Sequence, residues 1–334
     1  MENTMKKNPI TEGVIWKQML LFCIPIMVGT LFQQLYNIVD VIVVGRFVST
    51  KALACVGGSS GMMINLFVGF FTGMTSGVTV IVARYFGAAD WRHLSEGIHT
   101  SIAIAIICGV LFGVLGVAFA PLLLQFLGTP NELMNGSLLY LRIYFIGILF
   151  TFLFNTGSAI LRALGDSKQP LYYLMICCFV NIVLDVLLVV VFHLGIAGVA
   201  IATVTAQAVS SYMVLHALQH LNVEFRVKWK QIKFHKQLFF EIIRIGLPAG
   251  IQSVMNSLSG MIMTSAVNSL GTIAVAGNTA YAKLDGIYWM VSNAFSVSIA
   301  TFVAQNLGAK KFDRVKQSIV SCMILDFVLS SGLS

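Results

Sequence analysis

Nine apolar runs, each long enough to cross a bilayer and separated by short polar stretches, restrict this chain more than any other feature. They lie near residues 15–45, 53–83, 97–120, 135–161, 169–192, 196–221, 239–268, 274–305 and 317–334. A membrane-spanning helix needs about 20 mostly apolar residues, whereas a barrel strand shows about ten of alternating polarity. These runs are continuous, so the predicted spans are helices. Several exceed the minimum, which implies tilt, kinks or ends that project into water. Charge supports the same reading, because Asp, Glu, Lys and Arg make up 10% of the residues against about 25% in soluble domains. The expected architecture is an all-α polytopic membrane protein.

A formal charge of +8 could indicate nucleic acid, but its distribution argues against that partner. If the amino terminus starts inside, alternate loops carry Lys6, Lys7 and Lys17; Arg84 and Arg92; Arg162 and Lys168; Arg226, Lys228, Lys230, Lys233, Lys236 and Arg244; and Lys310, Lys311, Arg314 and Lys316. These are 17 of the 21 basic residues. The positive-inside rule therefore places the amino terminus and these loops in the cytoplasm. No small-residue cleavage site follows the first run, which is read as a retained span. Cys23, Cys55, Cys108, Cys177, Cys178 and Cys322 sit in or beside apolar runs without paired spacing, so neither a disulfide framework nor a zinc site is expected.

The polar interval from Asn222 to Arg244 divides the chain, and the segment after it resembles the beginning. "LLFCIPIMVG" aligns with "IIRIGLPAGI" through Pro25 and Pro248, "ALACVGGS" with "TIAVAGNT" through Gly57 and Gly277, and "VARYFGAAD" with "VAQNLGAKK" through Gly87 and Gly308. The offsets of 223, 220 and 221 define one internal repeat. Six spans separate the copies, so they are parallel in topology, as in transporters whose substrate sites lie between repeats. The expected organisation is a first lobe over 1–221 with six spans, a basic linker over 222–244, and a partial second lobe over 245–334 with three. A further three spans are expected beyond Ser334. Pro25 and Pro248 interrupt helix hydrogen bonding inside their runs; a static kink, common in membrane helices, is the favoured reading of each, and a hinge is the alternative that their recurrence in both copies strengthens.

Polar residues fall in stripes. At about 100° per residue, Gln33, Tyr36, Asn37 and Asp40 share one face of the first span. Asn181 and Asp185 share a face of the fifth. The fourth presents Tyr140, Tyr144, Thr151, Asn155, Ser158 and Arg162, and the sixth Thr203, Gln207 and Ser210. An ionised carboxylate at mid-bilayer costs about 2.5 to 3.5 kcal/mol on insertion scales. Asp40 and Asp185 are therefore expected to face a cavity, bind a cation or take up a proton; merely solvated side chains are the alternative. In the second repeat, Gln252, Asn256 and Ser259 share one face, and Asn278, Asp285, Trp289 and Ser292 another. Asp285 is either a second coupling acid or the partner of Lys283, and Asp326 is left unassigned. No phosphate loop, His-Glu-x-x-His or other catalytic signature occurs, so the chain is not expected to be an enzyme or to carry a cofactor.

Together "LYNIVDVIVVGR", "VARYFGAAD", "ILRALGDSKQPLYY", "NIVLD" and "LGIAGVAIATVTAQ" resemble the multidrug and toxic compound extrusion (MATE) family, and the acidic first span is similar to its bacterial DinF and MepA-like branch. The resemblance runs from about residue 12 to about 316. It implies two six-helix lobes around a cleft in a bacterial inner membrane, exporting organic cations or drugs against entering H⁺ or Na⁺, and a monomer. It assigns cation response to Asp40, Asn181 and Asp185, which would hold Na⁺ if that is the ion, with Asn155 and Thr203 as neighbours. Gln33, Tyr36, Asn37, Tyr140, Tyr144, Gln252, Asn256 and Asp285 are the expected cleft residues. The family's other branch has a glutamate in the seventh span; here Asn256 is the nearest polar residue. The rival readings are a lipid-linked precursor flippase of the same superfamily, which would need a strongly cationic cleft, and a non-transporting scaffold, which would have little use for two intramembrane aspartates.

Overall fold

The computed structural model describes residues 9–332, and every apolar run becomes a helix. In chain order these are α1 (Pro9–Glu12), α2 (Ile15–Phe47), α3 (Thr50–Gly57), α4 (Ser59–Gly87), α5 (Trp91–Phe126), α6 (Asn131–Ala163), α7 (Lys168–Asp185), α8 (Gly195–Gln219), α9 (Lys236–Ser269), α10 (Thr272–Gly308) and α11 (Phe312–Gly332). Among the described residues there is no strand. Among the described residues, eight segments are long and apolar enough to cross a membrane. The ninth expected span, α11, forms a helix, but Asp313, Arg314, Lys316 and Asp326 interrupt its apolar length and it is not among the eight.

Turn chemistry sets the helix ends. Asp90 caps α5 by accepting from the His93 backbone N–H at 3.2 Å, and Asp166 caps α7 through the N–H groups of Lys168 and Gln169 at 2.9 and 3.0 Å. Gly165 enters that turn at φ +94°, a conformation side chains resist. The expected second span is broken at Gly58, whose non-helical backbone (φ −76°, ψ −127°) separates α3 from α4.

The repeat survives at the level of single hydrogen bonds. After α4, Ala88, Ala89 and Asp90 donate to Arg84, Phe86 and Tyr85; after α10, Ala309, Lys310 and Lys311 donate to Gln305, Leu307 and Asn306. Ala89 and Lys310 both take a left-handed conformation, at φ 53° and 58°. The two turns are copies at an offset of 221, although their sequences share little beyond Gly-Ala.

Glycines bring the halves together. A Cβ on Gly73 of α4 would come within 2.6 Å of the Ala249 carbonyl, and one on Gly250 of α9 within 2.8 Å of the Phe70 carbonyl. Such close backbone approach is how helices associate where lipid removes the hydrophobic drive. At the end of the bundle holding Arg84, Arg92, Arg162 and Lys168, here the basic end, Gly87 packs on Gln305 while Gly308 packs on Arg84. This reciprocal contact joins α4 to α10 at the basic end. Gln305 Nε2 also donates to the Ala163 carbonyl at 2.7 Å, and Arg314 Nη2 to the Ile10 and Gly13 carbonyls at 3.1 and 2.7 Å.

The first half packs α6 against α5 and α8, with Phe71 of α4 stacked on Phe152 of α6 at 3.6 Å between ring centroids. The interval from 222 crosses beneath α5: Lys228 N–H donates to His99 Nε2 at 3.1 Å, and His235 N–H to Thr100 Oγ1 at 3.3 Å. Its last residues, from Lys236, already belong to α9, because Leu238 and Ile242 bury one face there. Arg84 and Glu241 form an ion pair at 2.6 Å between α4 and α9. Lys6 and Lys7 lie outside the described residues.

Candidate functional site

Two acids from different helices meet in the first half, far from the basic end. Asp40 lies 15 residues beyond Pro25 on α2, which puts it about 22 Å further along the axis. Asp185 is the last residue of α7, where the chain widens into a π-helical turn over Val186–Val191. Such wide turns recur at functional sites because they displace side chains from the regular helical track. Asp40 and Asp185 are 8% and 0% exposed, and each lies within electrostatic reach of the other.

Asn181, one turn before Asp185, is also buried; its Nδ2 donates to Thr203 Oγ1 on α8 at a long 3.5 Å, and Thr203 donates to the Val199 carbonyl at 3.0 Å. Asp40 Oδ1, both Asp185 oxygens and Asn181 Oδ1 are buried without a hydrogen-bond partner among the described residues. The two carboxyls lie close enough for one, if protonated, to donate to the other; no other group among the described residues donates to these four oxygens. Orphaned buried acceptors cost about 1–3 kcal/mol each, and more if charged, so the group has the chemistry to take up a proton or a small hard cation. Oxygen donors of this kind suit such ions, not the softer metals of thiolate and imidazole sites. No cluster of three His, Cys, Asp or Glu side chains able to hold a metal occurs among the described residues.

One turn nearer the basic end, Tyr36 forms part of the wall of a cavity of about 190 Å³. Its lining comes from both halves: Gln33 and Tyr36 of α2, Tyr144 and Asn155 of α6, and Asn293 and Val297 of α10. Pro25 of α2 lines its lower part; the helix runs through this proline, as α9 does through Pro248. Asn155 thus stands in the cavity wall and not in the hydrogen-bonded set around Asn181. Tyr140 is buried beside both acids.

The remaining expected cleft residues lie elsewhere. Asn37, Gln252 and Asn256 are exposed and outside the cavity wall. Asp285 accepts from the Tyr281 hydroxyl at 3.2 Å; the Lys283 side chain lies outside the described residues. Asp326, unassigned from sequence, accepts from Ser292 and Ser330 at 3.4 Å each. The sequence stripes did not single out Thr72 of α4, Pro170 and Leu174 of α7, or the two α10 residues that complete the wall. Their contribution depends on how the helices pack.

The MatE family model matches this chain twice, over residues 25–187 and 248–334. The two matches begin at the paired prolines and divide the chain where the internal repeat does. The chain belongs to the MatE family. Among curated relatives of this MATE protein, the "Probable multidrug resistance protein YpnP" of Bacillus subtilis (strain 168) is 32% identical over 316 residues, covering 93% of this chain and 69% of the relative. The "Multidrug export protein MepA" of Staphylococcus haemolyticus (strain JCSC1435) is 23% identical, covering 94% and 70%. A solved structure of an outward-facing MATE transporter of the MOP superfamily superposes with a TM-score of 0.87 at 21% identity, covering 97% of this chain and 72% of that one. That likeness establishes the MATE fold for this polytopic membrane protein.

Proposed function

We propose that this MATE protein is a secondary multidrug efflux antiporter of a bacterial inner membrane, exporting organic cations in exchange for H⁺ or Na⁺ by alternating access. The observation that carries the coupling scheme is the buried pair, Asp40 and Asp185, two carboxyls within hydrogen-bonding reach of each other to which no other described group donates at Asp40 Oδ1 or at either Asp185 oxygen. A positive ion entering there offsets one of the pair's negative charges, and its departure restores the cost of burying that charge. The multidrug assignment follows the names of the relatives.

In this scheme the basic end faces the cytoplasm, as the positive-inside rule requires, and the reciprocal Gly87 and Gly308 contact seals that side. Tyr36 connects the acid pair to the cavity, so neutralisation of Asp40 alters the wall against which substrate rests. Pro25, in the same helix and the same cavity, lets α2 change its bend. One charge crossing 100 mV supplies about 2.3 kcal/mol, roughly forty-fold in concentration ratio, before any chemical gradient is added. A flippase for lipid-linked precursors would require several cations in the cleft, whereas Arg162 is the one charged residue in the described cavity wall.

The test is efflux of a fluorescent cation from proteoliposomes in which the pH and sodium gradients are collapsed separately. Loss of efflux with one of them, and in Asp40→Asn and Asp185→Asn with both intact, is the expected result. Undiminished efflux in both variants would remove the proposal.

A further inference from the structure

The floor of the cavity carries a charge that cation coupling does not use. Arg162 stands in the last turn of α6, and its Nε is buried without a hydrogen-bond partner among the described residues. No described carboxylate pairs with it: the ion pairs join Lys51 to Glu132, Arg84 to Glu241, Arg92 and His235 to Glu96, and His93 to Asp90. The acid nearest in sequence, Asp166, is committed to α7, accepting from Lys168 N–H, Gln169 N–H and Gln169 Nε2 at 2.9, 3.0 and 2.8 Å. Asp40 and Asp185 lie four turns away along their own helices from Pro25 and Pro170, which line the cavity near Arg162.

Two further polar groups around the same cavity are unsatisfied. Ser158, one turn above Arg162 on the same face of α6, is 2% exposed and its Oγ has no partner. Gln207 of α8 is 7% exposed and its Oε1 has none either; its amide can be turned to offer N–H instead. A guanidinium fork, a hydroxyl and an amide around one space, with no acid to neutralise them, complement an oxyanion. Arginine binds carboxylate and phosphate through two parallel hydrogen bonds; here the residue is half-buried and its buried Nε is the donor left without an acceptor.

We propose that the cavity floor at Arg162, Ser158 and Gln207 is an oxyanion site that receives a carboxylate or phosphate group. At about 190 Å³ it is smaller than the 300–1,000 Å³ of a site enclosing a whole drug-sized ligand. It therefore encloses the anionic group and the part of the ligand next to it, which meets Tyr36, Tyr144 and Phe154 of the same wall, while the rest of a larger ligand extends beyond the cavity. The group arrives either on an amphiphilic substrate or as free inorganic anion. In the first case the inference rests on the multidrug reading above and names the side chains that take the anionic group of such a substrate.

The full chain in detergent tests this with rhodamine B and its ethyl ester, which share one cationic ring system and differ by a free carboxylate. Arg162→Gln is expected to weaken rhodamine B binding about tenfold or more, as loss of a hydrogen-bonded charge does, and to leave the ester within about twofold. In a second arm, sodium phosphate is compared with sodium chloride of equal ionic strength for protection against thermal unfolding. Protection of the native chain that Arg162→Gln abolishes identifies a free anion as ligand. Ester binding together with equal effects of Arg162→Gln on both dyes, and no phosphate protection, overturns the site while leaving multidrug binding intact. If neither dye binds, the multidrug reading fails and the phosphate arm alone decides. Should Arg162→Gln not fold, Arg162→Lys and Ser158→Ala replace it, and unchanged rhodamine B and phosphate responses in both would refute the proposal.

Discussion

Replacing Gly308 with alanine adds one carbon at the contact that joins α4 to α10 at the basic end. The new Cβ would overlap the Arg84 carbonyl oxygen and come within 2.9 Å of the Ala88 nitrogen. Both obstacles are backbone atoms of a helix end, so no flexible side chain can move aside. Overpacking of this kind costs about 1–3 kcal/mol, and it falls only on the conformation in which α4 and α10 touch. Tilting a two-state equilibrium by that amount changes the ratio of states about five- to 150-fold. Gly57, with nothing within 4 Å of an added Cβ, supplies the control. Spin labels at the exposed Ala88 and Lys310, in a chain whose six native cysteines are replaced, would report the separation of the two turns. Gly308→Ala should shift the distance distribution outward, and Gly57→Ala should leave it in place. Equal distributions in the two variants would show that the glycine contact does not hold this end closed.

Three further outcomes are expected. Thr203→Val deprives Asn181 Nδ2 of its acceptor and should cost about 1–3 kcal/mol of stability as a buried donor goes unmet; an unchanged melting temperature would count against the network. Asp90→Ala should cost about 1 kcal/mol through loss of the α5 cap, measured by thermal unfolding. The His93 backbone N–H holds the Asp90 carboxyl below its ordinary value of 3.8, so the cap's contribution is complete above that pH and fades as pH falls through the lowered pKa. Asp90→Asn keeps a neutral acceptor and should therefore lose that acid dependence.

Much of the fold was legible because lipid imposes one solution. A long apolar run must satisfy its backbone internally, so the spans in the first half appear as helices within a few residues of their expected bounds. The repeat was legible from Pro25 and Pro248 and from Gly87 and Gly308, since a kink and a close backbone approach each tolerate few residue types. The break at Gly58 was hidden inside an unbroken apolar run, although "VGGSSG" marked where it could fall. Helical periodicity placed Asp40 and Asp185 on inward faces, and the structure brings them together. It could not show the π-helical turn after Asp185, which leaves no trace in a run of Val and Leu. Nor could it show that Asn37, Gln252 and Asn256 lie outside the cavity, because a stripe fixes the angle around one helix and not what stands opposite. Arg162 appeared as one more member of a stripe; only packing reveals that no acid answers it.

In the proposed scheme the Asp40 and Asp185 pair holds a small positive ion that leaves when substrate binds. Adding a fluorescent organic cation to the detergent-solubilised chain in weak buffer, first without sodium and then with it, while following pH and bound dye, detects that departure. Either proton release on dye binding or sodium-dependent weakening of dye binding is expected, with the response abolished in Asp185→Asn. Dye binding that releases no proton, is unaffected by sodium and is unchanged in Asp185→Asn would contradict it.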